Sequence, residues 1–192
     1  MTETDAREQI LSAAEDLYYR KGYAAVGMDE LRTAAGVSLR RLYALFPSKI
    51  DVIAAVLQRK HEEWEAALEA AVTAAGDSAR GRLLAVYGHL ERWFCDDDFR
   101  GCAFINAFGE LGGNDPEVAR VVREHKAAFQ ERMAVLAEEA GVPRAVAFQL
   151  SILAEGAQTT AAIAAAPDAA RHARAAAEIL IDASLATHPP RV

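Results

Sequence analysis

The stretch MDELRTAAGVSLRRLYALFPSK, residues 28–49, decides the reading of this chain. A helix repeats every 3.6 residues, so its buried positions must fall on one side. Leu31, Ala34 and Ala35 share one stripe of a first short segment. Asp29 and Glu30 occupy its opening turn, where the helix dipole favours negative charge. Gly36 suits the left-handed backbone that stops a helix, Val37 tucks beneath, and Ser38 offers a hydroxyl to cap the next helix. In the second segment Leu42 and Phe46 are four apart and point inward together, which leaves Arg40, Tyr43 and Ala44 on the outward stripe. Pro47 ends that helix, and Ser48 with Asp51 forms a capping box for a long third segment that carries Lys49 in its first turn. Two short amphipathic helices around a tight turn, the second bearing adjacent arginines, read as a helix-turn-helix, the arrangement that lays a recognition helix in the DNA major groove.

The run AAGVSLRRLYALFPSK resembles the DNA-binding signature of TetR/AcrR-family one-component transcriptional regulators. The motif covers residues 7–53: Ile10, Ala13, Ala14 and Leu17 of a first helix, a Gly22-Tyr23 break, the helix-turn-helix and the Pro47-Ser48-Lys49 junction. Beyond it the likeness lies in length and helical character. The resemblance implies an all-α fold with an N-terminal three-helix DNA-binding domain over 1–47 and a helical ligand-binding and dimerisation domain over 48–192. About nine helices are expected. It also implies that Ser38, Tyr43 and Lys49 contact phosphates, while exposed residues of the recognition helix read bases. Leu39 could meet a thymine methyl, and Arg40 suits bidentate pairing with guanine. Arg41 could bind base or phosphate. The chain departs from the family pattern at Gly27, which offers no capping hydroxyl, at Arg40, where glycine is common, and at Leu45, where His or Tyr is common. The resemblance therefore carries the architecture and leaves the operator sequence open.

A net charge of −7 would repel DNA if it were spread evenly, but the first 60 residues sum to +1 and the remainder to −8. The acid sits away from the helix-turn-helix. With so little general positive field, affinity should depend on placed contacts doubled in a dimer. No uncharged apolar run is long enough for a membrane helix, and MTETDAREQI lacks the basic and apolar regions of a signal peptide. A cytoplasmic protein is expected, with no membrane partner. Cys95 and Cys102 are the two cysteines; their spacing fits no disulfide framework, and reduced thiols are the expectation.

After Pro47 the periodicity predicts helices over 48–75, 79–95, 101–112, 116–140, 143–166 and 168–186, with Pro116 and Pro143 at first helical positions and a frayed tail over 188–192. The alanine-rich last third keeps Ile152, Leu153, Ile163, Ile179, Leu180 and Ile181 as core candidates. In the last two helices Leu150, Ala154, Ala157 and Ala161, then Ala173, Ala177, Leu180, Ile181 and Ser184, fall on two helical stripes of small and apolar residues. Small residues permit close helix approach. The resemblance implies a homodimer built on these stripes, matching two operator half-sites; the alternative is that they pack within one chain.

Helix 101–112, GCAFINAFGELG, is apolar nearly all round, with Phe104, Phe108 and Leu111 on one face, so burial is expected. Asn106 and Glu110 then become polar groups in an apolar setting that need partners, of which a ligand could be one. Trp64, Tyr87, Trp93, Phe94, Cys102, Phe129, Met133 and Gln149 complete a candidate effector pocket, with Phe148 and Gln158 of suitable type. Ordinary packing is the commoner role for side chains of these types, whereas for Asn106 and Glu110 the two readings weigh the same.

Other chemistries find no support. His61, His89, His125, His172 and His188 show no metal-ligand spacing, GELGG at 109–113 lacks a phosphate-loop ending, and no nucleophile motif is present. No metal, cofactor or catalytic residue is expected. The sequence thus points to a ligand-responsive, DNA-binding regulator, most simply a repressor, whose partners are an operator duplex, a small effector and a second copy of itself. The alternatives are a DNA-binding protein whose C-terminal domain serves structure or a protein partner, and, more remotely, an all-helical enzyme.

Overall fold

The computed structural model describes residues 2–187; the expected tail over 188–192 lies outside them. Among the described residues there are nine α-helices and no strand, in the order α1 (Glu3–Lys21), α2 (Met28–Ala34), α3 (Leu39–Leu45), α4 (Lys49–Ala74), α5 (Ala79–Phe94), α6 (Ala103–Ala107), α7 (Pro116–Glu139), α8 (Arg144–Ala164) and α9 (Ala169–Thr187). A π-helical turn, Phe108–Gly112, extends α6. The all-α expectation holds, and helix ends fall within two residues of the periodicity except over 101–112.

Local chemistry explains the boundaries. Thr2 and Asp5 form a capping box on α1, each side chain taking the other's backbone N–H. Asp115 caps α7 by accepting from the backbone N–H groups of Glu117 and Val118, both at 3.0 Å, so Pro116 sits at the first helical position as expected. Pro143 instead precedes α8 as its cap, with extended backbone (ψ 144°), one residue outside the helix.

The chain divides into two compact units. One comprises residues up to Glu62 together with Ala103–His125; the other comprises Glu63–Cys102 and the residues from Lys126 onward. α4 and α7 contribute residues to both.

In the first unit, Ile10, Ala14 and Leu17 of α1 are buried with Leu31, Leu42, Phe46, Ile53 and Leu57. Ala34 departs from its expected inner position and is exposed, because α2 ends there and the chain turns through Ala35 and Gly36. Charge reinforces the packing. Arg59 of α4 donates to Glu8 at 2.6 Å and to Glu15 at 2.5 Å on α1, and Lys60 also pairs with Glu15. The Arg7 guanidinium lies 4.5 Å over the Phe46 ring, a cation–π contact between α1 and the end of α3.

In the second unit, α5 packs against both α8 and α9. Its core gathers Leu83, Leu84, Tyr87 and Leu90 with Phe129, Met133, Leu150, Ala154, Ala173, Ala177 and Ile181. The stripes expected at a dimer interface are thus inside the chain: Leu150, Ala154, Ala177 and Ile181 are 0% exposed, and Ala157, Ala161, Ala173 and Ser184 are also buried. Leu180 is half-buried against the same core. Their small side chains admit close helix approach, and the helices they admit are this chain's own. The complementary faces are open. Phe148 (54%), Ile152 (56%), Ile163 (82%) and Ile179 (70%) are exposed, so Ile152, Ile163 and Ile179 do not supply the core expected of them.

Candidate nucleic-acid interface and effector site

The turn between α2 and α3 forms as its residues dictate. Gly36 takes φ +66°, a conformation glycine reaches without a Cβ penalty. The Val37 N–H closes the turn on the Arg32 carbonyl at 3.0 Å, and Val37 is buried. Ser38 caps α3, its hydroxyl accepting the Arg41 N–H at 3.1 Å. Gly27 caps α2 without any side-chain bond. α3 then splits by face: Leu42 and Phe46 are buried, while Leu39, Arg40, Tyr43 and Ala44 are exposed, Tyr43 at 46% and Leu39 at 39%. Arg41 is half-buried, and its Nε is covered without a hydrogen-bond partner.

Ser48 and Asp51 make the expected reciprocal cap at the start of α4, with the Ser48 N–H donating to Asp51 at 2.8 Å and the Asp51 N–H to the Ser48 hydroxyl at 3.2 Å. Lys49 is already engaged. Its ammonium donates to the Ala24 carbonyl at 3.0 Å, and burial lowers its pKa against the raising influence of the Glu110 carboxylate. An ammonium has three donors, so two remain for a phosphate.

Glu110 departs most from expectation. It is not a buried polar group: it is exposed, and it accepts the Ala24 N–H at 2.7 Å within the loop joining α1 to α2. The cause is the π-helical turn. An i→i+5 turn inserts an extra residue, so the helical phase that would put Phe104, Phe108 and Leu111 on one face is broken. Phe104 is buried, but Phe108 is 42% exposed. Its ring folds over Gly112, where a Cβ would stand 2.4 Å from it. The sequence signal for this break was the glycine spacing at 109, 112 and 113.

The expected effector residues separate into two groups. Asn106 and Glu110 belong to the first unit, and Trp64, Tyr87, Trp93, Phe94, Cys102, Phe129, Met133 and Gln149 to the second. In the second unit the aromatic rings do come together. Trp64 meets Trp93 at 5.4 Å, His89 at 4.8 Å and Phe129 at 6.3 Å between centroids, all edge-on, and Trp93 contacts Phe94 and Phe99. Tyr87, Phe129 and Met133 are fully packed; the Tyr87 hydroxyl donates to the Leu150 carbonyl at 2.8 Å, and burial pushes its pKa far above the usual phenol range. Trp64 and Trp93 are only partly buried, and the Trp64 Nε1 is covered with no acceptor. Burial holds His89 below the usual imidazole value, with the positive charge of Arg92 acting in the same direction. Gln149 and Phe148 are exposed.

Two clusters were missed in the sequence. In the first unit the His61 and His125 Nδ1 atoms lie 3.0 Å apart, and buried His125 stacks on Phe104 with centroids 3.5 Å apart. In the second, Lys126 donates to Glu155 at 2.6 Å and lies 3.7 Å from the Cys102 sulfur. Each joins residues distant in sequence, so no local spacing announced it. Among the described residues no group of three or more metal-ligating side chains converges, and no helix is long and apolar enough to cross a membrane.

A buried-face, exposed-face α3 capped by Ser38 and held behind α2 defines an all-α helix-turn-helix protein of the DNA-binding class. The sequence model of the family described as "Bacterial regulatory proteins, tetR family" matches residues 10–56. The solved structure of a TetR-type transcriptional regulator from Streptomyces avermitilis is 32% identical, with a TM-score of 0.79 over 93% of this chain and 97% of that one. That of SCO4454, a TetR-family transcriptional regulator from Streptomyces coelicolor, is 28% identical with a TM-score of 0.82 over 94% and 96%. The chain belongs to the TetR family. It is also similar to the transcriptional activator FasR of Mycolicibacterium smegmatis, at 33% identity over 62% of this chain and 52% of that protein. The transcriptional repressor NemR of Escherichia coli is 29% identical over 57% of this chain and 56% of its own length. The chain thus spans about half the length of these curated relatives.

Proposed function

We propose that this chain is a ligand-responsive transcriptional regulator that binds a near-palindromic operator as a homodimer and, as a repressor, leaves it when a small, largely apolar molecule binds. The observation that carries the reading is α3, with Leu42 and Phe46 buried and Leu39, Arg40 and Tyr43 presented outward from a Ser38-capped turn. Arg40 reads guanine, Leu39 a thymine methyl, and Arg41 base or phosphate; Ser38, Tyr43 and Lys49 hold phosphates and set the register. The domain over 1–47 reads DNA, and the residues from 48 onward bind the effector and form the dimer.

The dimer uses the open faces of α8 and α9, with Phe148, Ile152, Ile163 and Ile179, in place of the stripes that the chain buries itself. The effector enters at Trp64 and Trp93, whose rings are only partly covered, and the Trp64 Nε1 supplies an unclaimed donor. Tyr87, Phe129 and Met133 form the packed wall behind them. α4 runs unbroken from Lys49 to Ala74 and supplies residues to both compact units. A ligand that prefers one arrangement of this helix shifts the spacing of the two recognition helices, and operator DNA must weaken ligand binding by the same factor.

Fluorescence anisotropy on short duplexes tiling the DNA beside the gene tests the first half. Saturable binding to one duplex, lost in Tyr43→Ala and Arg40→Ala proteins that still fold, is expected; equal binding by the variants would overturn it. A thermal-shift screen of apolar compounds tests the second half. At least one compound should both stabilise the protein and lower duplex affinity. The absence of any such compound would favour a DNA-binding protein with a purely structural C-terminal domain.

A further inference from the structure

Away from both sites, the second unit carries a groove of about 440 Å³ lined by Ala71, Ala74, Ala75, Gly81, Ala85, Gly88, Arg92 and Arg174. Its origin is legible in the spacing. Gly81, Ala85, Gly88 and Arg92 recur at four, three and four residues along one face of α5, and Ala74 and Ala75 follow Ala71 by three and four residues at and just past the end of α4. None of the first three α5 side chains, and none from α4, reaches beyond a methyl group, so the trough between the helices stays open. Its size falls within the range of small-molecule sites.

Among the described residues, the only charged groups in the lining are two guanidiniums, and they converge. A Cβ placed on Gly88 would stand 3.7 Å from the Arg174 Nη1 and 3.8 Å from the Arg92 Nη1. Arg174 is held from its own helix by Glu178, through Nε at 3.2 Å, which leaves Nη1 at the groove. The other arginines of α5 are paired, Arg80 with Asp182 and Arg82 with Glu139. Arg92 has no ion-pair partner among the described residues. Two guanidiniums thus stand at one end of an apolar trough, in a part of the chain that is otherwise strongly acidic: Arg174 shares its charge with Glu178, and Arg92, exposed, leaves its donors to an anion from solvent.

We infer that this groove binds a small amphiphile with one anionic head, a carboxylate or phosphate between Arg92 and Arg174, and a single aliphatic tail along the alanine and glycine floor. Guanidiniums hold such oxyanions through charge-assisted hydrogen bonds, and the tail gains by leaving water. The site shares no residue with the proposed effector position at Trp64 and Trp93, so the two readings stand or fall separately.

Calorimetric titration of the full chain tests it, with decanoate, decyl phosphate, 1-decanol and inorganic phosphate as probes, each below its aggregation concentration. Decanoate, decyl phosphate or both should bind, and 1-decanol and inorganic phosphate should bind at least about tenfold more weakly. An Arg92→Gln/Arg174→Gln protein should lose about tenfold for the charged probes, and Gly88→Leu, which fills the trough and keeps both arginines, should abolish binding with an unchanged circular dichroism spectrum. A Trp64→Phe protein should bind them as the parent does. Failure of both charged probes to bind, equal binding by the arginine variant, or full retention in Gly88→Leu would each overturn the inference.

Discussion

The Glu110 carboxylate accepts the backbone N–H of Ala24 at 2.7 Å across 86 positions of sequence, and the carbonyl of the same residue takes the Lys49 ammonium at 3.0 Å. The loop before the helix-turn-helix is therefore held at one residue from two sides. Glu110→Ala should accelerate amide exchange at Ala24 and lower stability by about 1 kcal/mol, the value of a partly solvated hydrogen bond to a charge. Unchanged exchange at Ala24 would show that the loop does not need this carboxylate.

The π-helical turn depends on Gly112. A methyl group there would stand 2.4 Å from the Phe108 ring. Gly112→Ala should cost about 1 to 3 kcal/mol by overpacking, and Gly112→Ala/Phe108→Ala should recover part of it. Additive losses in that cycle, read by urea denaturation, would place the glycine's role elsewhere.

At the DNA surface, Arg40→Ala should cost about 1 to 3 kcal/mol and relax discrimination at one base position. Lys49→Gln should instead weaken binding to all duplexes alike and reduce the salt slope by about one. Anisotropy titrations at several salt concentrations separate the two. A sequence-dependent effect for Lys49 would reverse its assignment.

On α8 and α9 the two faces should answer differently. Ala154→Leu places a larger side chain in a position with no exposure and should lower the melting temperature. Ile152→Asp lies on the open face and should leave the fold intact while shifting the protein toward monomer in analytical ultracentrifugation. Dissociation by Ala154→Leu with unchanged melting would restore the buried stripe as the interface.

Glu15 gives a pH dependence. Burial alone would raise its pKa, but the hydrogen bonds and charges of Lys60 and Arg59 outweigh it, and the folded value lies below the usual one. A depressed folded pKa means that the stabilisation is fully present above the ordinary carboxylate value and is lost as pH falls through the folded one. Glu15→Gln should thus lower the melting temperature at neutral pH, with the gap closing in acid. A gap that is constant down to acid pH would remove Glu15 from the account.

The helix-turn-helix was legible because the signals that set its boundaries and its buried face are local: Gly36 at the stop, Ser38 at the cap, Leu42 and Phe46 four apart, and Ser48 against Asp51. The nine-helix pattern was legible for the same reason. What the sequence hid were choices between faces and distant partners. The stripe at Leu150, Ala154, Ala157 and Ala161 announces close helix packing without saying whose helix arrives, and α5 and α9 of the same chain pack against α8. Periodicity over 101–112 assumed 3.6 residues per turn, and the π-helical turn shifted Glu110 out of the apolar face. Arg59 with Glu8 and Glu15, His61 with His125, and Lys126 with Glu155 needed three-dimensional proximity that no spacing encodes.

Ala24 has a consequence for how this protein tolerates change. Its side chain is exposed, and its donor and acceptor are both main-chain atoms, engaged by Glu110 and Lys49. Position 24 should accept nearly any side chain in a mutational scan, so an inspection of residue preferences would pass over it. Proline alone removes the N–H, and a scan in which proline stands out as the single intolerant substitution would be the signature of a joint written entirely in backbone.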